Sequence, residues 1–177
     1  LNGYQCLMTA KPFLKWVGGK RQLLAEIVPL VPNEFSRYIE PFVGGGAVFF
    51  HLSEQITAQQ IPSVINDINP ELVNCYQMVK TQTDDLISLL KTHKHDKNYY
   101  LKIRNLDRQE GGLSVLSPLE RASRFIYLNR TGFNGMYRVN SKGLNNVPFG
   151  RYKNPSIVNE DVLRASAKAL IDTQITN

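Results

Sequence analysis

The sequence predicts an α/β fold built on a parallel sheet, and three observations carry that prediction. A short strand at 37–40 runs into the glycines Gly44-Gly45-Gly46, an apolar helix starts at 47–52, and a second strand follows at 63–67. Strand, glycines, helix, strand is the order of a βαβ unit, whose strands lie parallel because the helix carries the chain back across the sheet. The 177 residues suit about one domain with a modest insertion. A core of that size needs neither disulfides nor a structural metal.

The remaining elements follow in order. After the Gly18-Gly19 turn, a helix of about ten residues shows the periodic set Leu23, Leu24, Ile27 and Val28 and ends at Pro29 and Pro32. Beyond the second strand, Asn69 is an N-cap, Pro70 suits the first helical position, and Glu71 complements the dipole. Further helices are expected from Thr83-Asp84-Asp85 and over 98–108, with a loop at 109–115. Ser117-Pro118-Leu119-Glu120 is a capping box, so a helix should run to about Arg130 and stop at Gly132. Residues 136–139 and 146–149 flank Ser141-Lys142-Gly143 as a hairpin, with Pro148 confining its second arm to an edge. A last helix at 159–171 leads into a strand at 174–176.

The net charge is +6, and its distribution says more than its size. Residues 1–70 are neutral, 71–118 carry +1, 119–155 carry +6, and 156–177 carry −1. That basic window holds Arg121, Arg124, Arg130, Arg138, Lys142, Arg151 and Lys153 among six aromatics, Phe125, Tyr127, Phe133, Tyr137, Phe149 and Tyr152. Basic groups neutralise phosphates, an arginine fork pairs with a guanine edge, and aromatics stack on bases, so the window points to nucleic acid. The bland alternative is a solvated basic helix with core aromatics, and Phe125, Tyr127 and Leu128 fit a core. The two cysteines, Cys6 and Cys75, exclude a disulfide scaffold. No apolar run approaches a membrane span, no signal peptide is visible, and a reducing, cytoplasmic compartment is expected. Cys75, His51, His93 and His95 lack ligand spacing, so no metal is implied.

Glycines after a strand let a ligand approach the backbone, and an acid ending the next strand can accept hydrogen bonds from both ribose hydroxyls. Gly46 to Asp67 is 21 residues, near the expected separation. The loop is neither a full dinucleotide fingerprint nor a phosphate-cradling loop. A ligand with an adenosine but no pyrophosphate fits better, and S-adenosylmethionine is the commonest of these. The alternative is a tight turn followed by a surface aspartate.

Four ordered blocks now bear on the family. Residues 11–20 (KPFLKWVGGK), 40–46 (EPFVGGG), 66–69 (NDIN), and 128–140 with 146–153 (LNRTGFNGMYRVN, NVPFGRYK) resemble the motifs of Dam-like DNA adenine-N6 methyltransferases, over about 11–170. The resemblance implies a partial Rossmann-like methyltransferase sheet with an inserted, mainly helical target-recognition domain carrying a β-hairpin. Its implied divisions are 11–70 for cofactor, 71–158 for DNA, and 159–177 returning to the methyltransferase domain. Residues 1–10 are expected outside the folded unit, with Met8 a plausible native start.

By the same resemblance, Trp16, Lys20 and Asp67 would contact S-adenosylmethionine, with Glu40, Phe42 and Gly44 in the pocket. Lys15 and Arg138 would read guanine in double-stranded GATC, with Met136 and Pro148 against thymine. Phe133 and Asn134 would wedge into the duplex, and Arg130, Asn140, Asn146 and Arg151 would touch phosphates. Trp16 as simple core, Lys20 as a helix-start charge and Asn146 as a turn residue remain the plain alternatives. A cognate restriction endonuclease fits such a system, with no direct contact implied.

The family holds the adenine amine with an Asp-Pro-Pro-Tyr block. None of the nine prolines here is adjacent to another. The chain is therefore expected to be the amino-terminal, non-catalytic part of such an enzyme, with a DNA-binding module that acts alone as the alternative. A dehydrogenase is disfavoured by the imperfect fingerprint and the basic window.

Overall fold

A computed structural model describes residues 9–177; the expectations for residues 1–8, Cys6 and Met8 among them, lie outside the described residues. Ala10, expected outside the folded unit, packs against the core. The expected first helix is a tighter, broken run: a 3-10 turn at Lys20–Leu23, one α turn, α1 (Leu24–Ile27), and a second 3-10 turn at Val28–Leu30. Pro29 within that last turn has no amide hydrogen to extend an α-helix.

Among the described residues three strands form the sheet. β1 (Tyr38–Glu40) is followed by α2 (Ala47–Ala58), then β2 (Ser63–Asn66), α3 (Pro70–Thr81), α4 (Thr83–Lys91), α5 (Lys97–Arg104), α6 (Pro118–Thr131), α7 (Glu160–Leu170) and β3 (Thr173–Thr176). The order is β1-β2-β3, all parallel, with Ile39 opposite Val64 and Ile65 opposite Ile175. The connection from β2 to β3 therefore holds α3 through α7.

Local signals account for the helix ends. Asn69 accepts from Glu71 N and Leu72 N, and the Ser117–Glu120 capping box closes in both directions. Asp96 caps α5, which stops at Arg104 and passes into a 3-10 turn at Asn105–Arg108, short of the single helix expected there. Within the expected loop, Gly112–Val115 forms another 3-10 turn. The expected hairpin is not a regular ladder. Its arms meet at one bridge, Val139 with Asn145, while Phe149 bridges to Gly132. Pro148 lacks an N–H, and its carbonyl accepts instead from Phe133 N at 2.8 Å.

One continuous core joins the sheet to the helices: Phe49 and Phe50 of α2, Ile65 of β2, Leu72 and Tyr76 of α3, Leu86 and Leu90 of α4, and Phe125 and Ile126 of α6. Tyr100, Tyr127 and Leu128 form a smaller cluster. Gly46 sits at the start of α2 with φ +76°, and a Cβ there would lie 2.7 Å from Tyr76 Oη and 2.8 Å from Phe50 Cε2. No helix among the described residues is long and apolar enough to cross a membrane.

His93 is an uncharged part of this packing. Its ring lies 4.4 Å from that of Tyr127, stacked, and its nitrogens meet Tyr99 Oη at 2.8 Å and Ser123 Oγ at 2.9 Å. Burial lowers its pKa from 6.5 to about 4. Between those values the unfolded chain binds a proton that the folded chain refuses. The His93 contribution is thus complete above pH 6.5 and falls as the pH drops towards 4. Urea titrations from pH 7 to 4.5 should show the midpoint falling with pH, and falling less steeply in His93→Gln. Gly46→Ala combines positive-φ strain with overpacking and should lower unfolding free energy by about 2–4 kcal/mol in the same assay.

Candidate cofactor loop and nucleic-acid interface

The carboxyl ends of β1 and β2 set the first half of the site. β1 ends at Glu40, and the chain turns through Phe42 to Gly44, whose φ of +50° lies in the left-handed region. A Cβ on Gly44 would stand 2.9 Å from Trp16 Nε1, and one on Gly45 would stand 2.9 Å from Trp16 Cβ. The indole thus lies directly against the glycine loop, which only residues without side chains permit. Trp16 also stacks on Tyr137 and Phe125, with centroids 6.1 and 6.4 Å away. It is both a core side chain and a wall of the loop.

Asp67 follows β2 and is gripped by main-chain donors: Gly44 N reaches Oδ2 at 3.0 Å and Asn69 N reaches Oδ1 at 3.0 Å. Each oxygen keeps a second lone pair, so the carboxylate is oriented while still able to accept from a ligand. Lys20 Nζ bonds Glu40 Oε1 at 2.7 Å and also the carbonyl of Phe42. Glu40 is buried, and its other oxygen accepts from Tyr38 Oη at 2.6 Å. Burial and then the Glu40 charge drive the Tyr38 pKa upward, so it stays a donor. All six expected cofactor residues are brought together. Tyr76, absent from that set, donates to Gly44 O at 2.8 Å. Phe42 (74% exposed) and Ile68 (86%) flank the loop as apolar side chains turned to solvent.

The donor and acceptor set suits S-adenosylmethionine. Apolar surface and an indole can hold an adenine, an oriented carboxylate can take ribose hydroxyls, and the Lys20–Glu40 pair offers both charges for an amino acid end.

The second half is built on α6 and the segment after it. Asn129 Oδ1 accepts from Lys15 N at 2.9 Å, and Asn129 Nδ2 donates to Lys15 O at 2.7 Å and to Gly135 O at 2.8 Å. The Lys15 side chain passes over Gly135, where a Cβ would lie 2.5 Å from Lys15 Cβ, and its ammonium sits 4.4 Å from the Tyr152 ring centre. Lys15, Phe133, Asn134, Met136 and Pro148 thereby share one region. Phe133, Asn134 and Pro148 are exposed, and Asn134 adopts a φ of +53°, which asparagine tolerates.

Arg138 is exposed and tied to Asn146, its Nε donating to Oδ1 at 2.7 Å and its Nη2 to the main-chain O at 3.1 Å. Asn146 thus orients Arg138. Asn140 Oδ1 accepts from Lys142 N and Leu144 N, both at 3.0 Å, and so builds the turn. Arg130 is half-buried, its Nε donating to Ser156 O at 2.8 Å, and desolvation lowers its pKa. Arg151 is exposed.

The basic window is not wholly a surface charge. Arg124 is buried; it donates to Ile103 O at 2.9 Å and Arg104 O at 2.6 Å and pairs with Asp107 at 3.0 Å. It caps the carbonyls that end α5. Arg121 pairs with Glu71. Lys142, Arg151 and Lys153 are exposed and form no ion pair among the described residues. Neither Asn129 nor Asp107 is among the expected site residues; Asn129 is signalled by its place in the 128–140 block and as a polar side chain after the apolar run of α6. A cavity of about 220 Å³ lies between the start of α3, at Asn69 and Glu71, and the segment with Met136, Tyr137 and Asn145, with Asp107, Arg124 and Asn129 also lining it.

Residues 16–177 match the family model described as D12 class N6 adenine-specific DNA methyltransferase. The chain is 47% identical over 167 residues to the type II methyltransferase M1.LlaDCHI of Lactococcus lactis subsp. cremoris, covering 93% of this chain and 56% of that protein. It is 41% identical over 182 residues to the type II methyltransferase M.MjaIII of Methanocaldococcus jannaschii, covering 95% and 62%. It is 42% identical over 149 residues to a DNA adenine methylase of Haemophilus influenzae, covering 81% and 48%. The chain therefore spans roughly half to three-fifths of the length of these relatives. With its glycine loop, oriented Asp67 and exposed arginines, the chain belongs to the D12 class of N6 adenine-specific DNA methyltransferases.

Proposed function

We propose that these residues form the cofactor-binding and target-reading part of an enzyme that transfers a methyl group from S-adenosylmethionine to adenine N6 in duplex DNA, with GATC as its site. The observation that carries this reading is the Asn129 clasp. It fastens the segment bearing Lys15 and Trp16 to the segment bearing Phe133 to Arg138, so one buried side chain holds both the indole that presses on Gly44 and the groups assigned to base reading. In this reading residues 11–70 and 159–177 serve the methyltransferase domain and 71–158 the DNA.

S-adenosylmethionine supplies an electrophilic methyl group on a sulfonium. Asp67 would accept from the ribose hydroxyls, Trp16 and Phe42 would hold the adenine, and Lys20, held by Glu40, would meet the amino acid end. On the DNA side, Arg138 and Lys15 read guanine edges, while Met136 and Pro148 lie against thymine. Phe133 and Asn134 hold the base step open, because the target amine is otherwise buried in the stack. Arg151, Asn140 and Arg130 approach phosphates. Asn146 has both oxygens committed to Arg138, so its contribution to phosphate binding is limited to its amide N–H groups. A cognate restriction endonuclease acting on the same sequence, and a cytoplasmic setting, belong to the same reading.

The 177 residues contain no adjacent prolines. That favours a second statement: by itself the chain binds cofactor and DNA without methylating. Incubation with tritiated S-adenosylmethionine and a GATC duplex should leave the DNA unlabelled, and incorporation above background would overturn it. Calorimetry should show S-adenosylmethionine binding that weakens about tenfold or more in Asp67→Ala, the size of a lost charge-assisted hydrogen bond. Arg138→Ala should cost about 1–3 kcal/mol on GATC and relax discrimination, whereas Arg151→Ala should weaken all duplexes alike and reduce the salt slope by about 1.

A further inference from the structure

The segment 136–149 has too few internal contacts to hold its own shape. Its arms share the Val139–Asn145 bridge, made by two main-chain bonds, Asn146 N to Arg138 O at 3.1 Å and Asn140 N to Leu144 O at 2.9 Å. An isolated hairpin is marginal even when fully paired. The return arm is tied instead to α5 and the turn after it. Asn145 N donates to Asp107 Oδ2 at 2.7 Å, and Arg108 Nη2 donates to Asn145 O at 2.6 Å. Val147 O accepts from Tyr100 Oη at 3.0 Å and from Arg104 Nη1 at 3.1 Å.

Asp107 is the hub of this clamp. Its side chain is 6% exposed, and its oxygens accept from Arg108, from Arg124 at 3.0 Å and from Asn145 N. Asn146 stands between the two anchored residues and presents both of its oxygens to Arg138. Asp107 and Arg138 are thus joined through the 145–146 peptide and its hydrogen bonds. With Nε and one Nη2 hydrogen engaged, the Nη1 pair and the second Nη2 hydrogen remain, the end-on donors that a guanine edge accepts.

We infer that Asp107 is a positioning residue for base recognition: buried away from the DNA, it fixes the return arm so that Asn146 holds the Arg138 guanidinium in one orientation. This rests on the base-reading role proposed for Arg138. A free arginine gives up rotamer entropy on pairing, and a guanidinium already oriented gives up less. A lone bridge would leave that orientation loose; a carboxylate with three donors, anchored on two helical segments, does not.

Asp107→Asn keeps the shape and removes the charge facing two guanidiniums. Two readouts on the 177-residue chain test the inference: binding to a GATC duplex and to one with the G·C pair inverted, and the Arg138 Nε–H resonance without DNA, assigned by its loss in Arg138→Ala. The variant should bind the inverted duplex as the unaltered chain does, lose about tenfold on GATC, and show faster exchange of the Arg138 Nε–H. An unchanged Nε–H resonance together with unchanged discrimination would overturn the inference. If the unaltered chain does not discriminate while Asp107→Asn still loosens the Nε–H, the positioning role stands and the base-reading role falls. Should Asp107→Asn not fold, Tyr100→Phe removes one anchor on Val147 without changing charge, and its Arg138 Nε–H must then exchange faster.

Discussion

The architecture depends on one buried amide. Asn129 lies inside α6, almost inaccessible to water, and satisfies both its oxygen and its nitrogen on the backbones of Lys15 and Gly135. Those bonds join the segment that leads to Trp16, against the glycine loop, to the segment that carries the groups proposed to read bases. Each is worth about 0.5–1.5 kcal/mol net, but an apolar replacement would leave three main-chain groups unpaired in the interior, which costs more. The Trp16–Tyr137–Phe125 stack lies in the same region, so apolar contact and hydrogen bonding reinforce one junction.

A second constraint is the closeness of side chains to the glycine loop. Trp16 presses on Gly44 and Gly45, while Tyr76 and Phe50 press on Gly46. Any Cβ would push one of these aside. The loop is therefore shaped by what surrounds it as much as by its own flexibility, and Asp67 locks it to the end of β2 through the Gly44 amide. Rigid support of this kind suits a site that must hold its donors and acceptors ready before a ligand arrives.

Electrostatics divide by burial. The basic window looks uniform in sequence, yet its members have different duties. Arg124 closes α5 and meets Asp107, Arg121 meets Glu71, and Arg130 is hooked to a carbonyl. Arg138, Lys142, Arg151 and Lys153 stay exposed, with Lys15 joining them from a distant part of the chain. Formal charge alone cannot separate a cap from a phosphate contact, because the distinction lies in whether an acid or an orphan carbonyl is within reach.

Much of the molecule was legible in the sequence. The βαβ order, the parallel strands, the Asn69 cap and the Ser117–Glu120 capping box all follow from local signals, since caps and glycine turns act within a few residues. The glycine loop and Asp67 stand out in the same way, as residues at the ends of β1 and β2, whereas Trp16 and Lys20 enter through the family resemblance of residues 11–20. Less legible were the broken helix at 20–30, the sparse hairpin and the extent of α5, where neighbouring segments outweigh local preference. Local signals along the chain settle the order of elements and the residue types at the two loops. The partners come from the folded arrangement: Asn129 meets Lys15 across 114 residues, and Asp107 meets Asn145 across 38. Such pairs have no local signature, because a side chain's hydrogen-bond partner depends on where the fold brings the backbone, and that is a property of the whole chain.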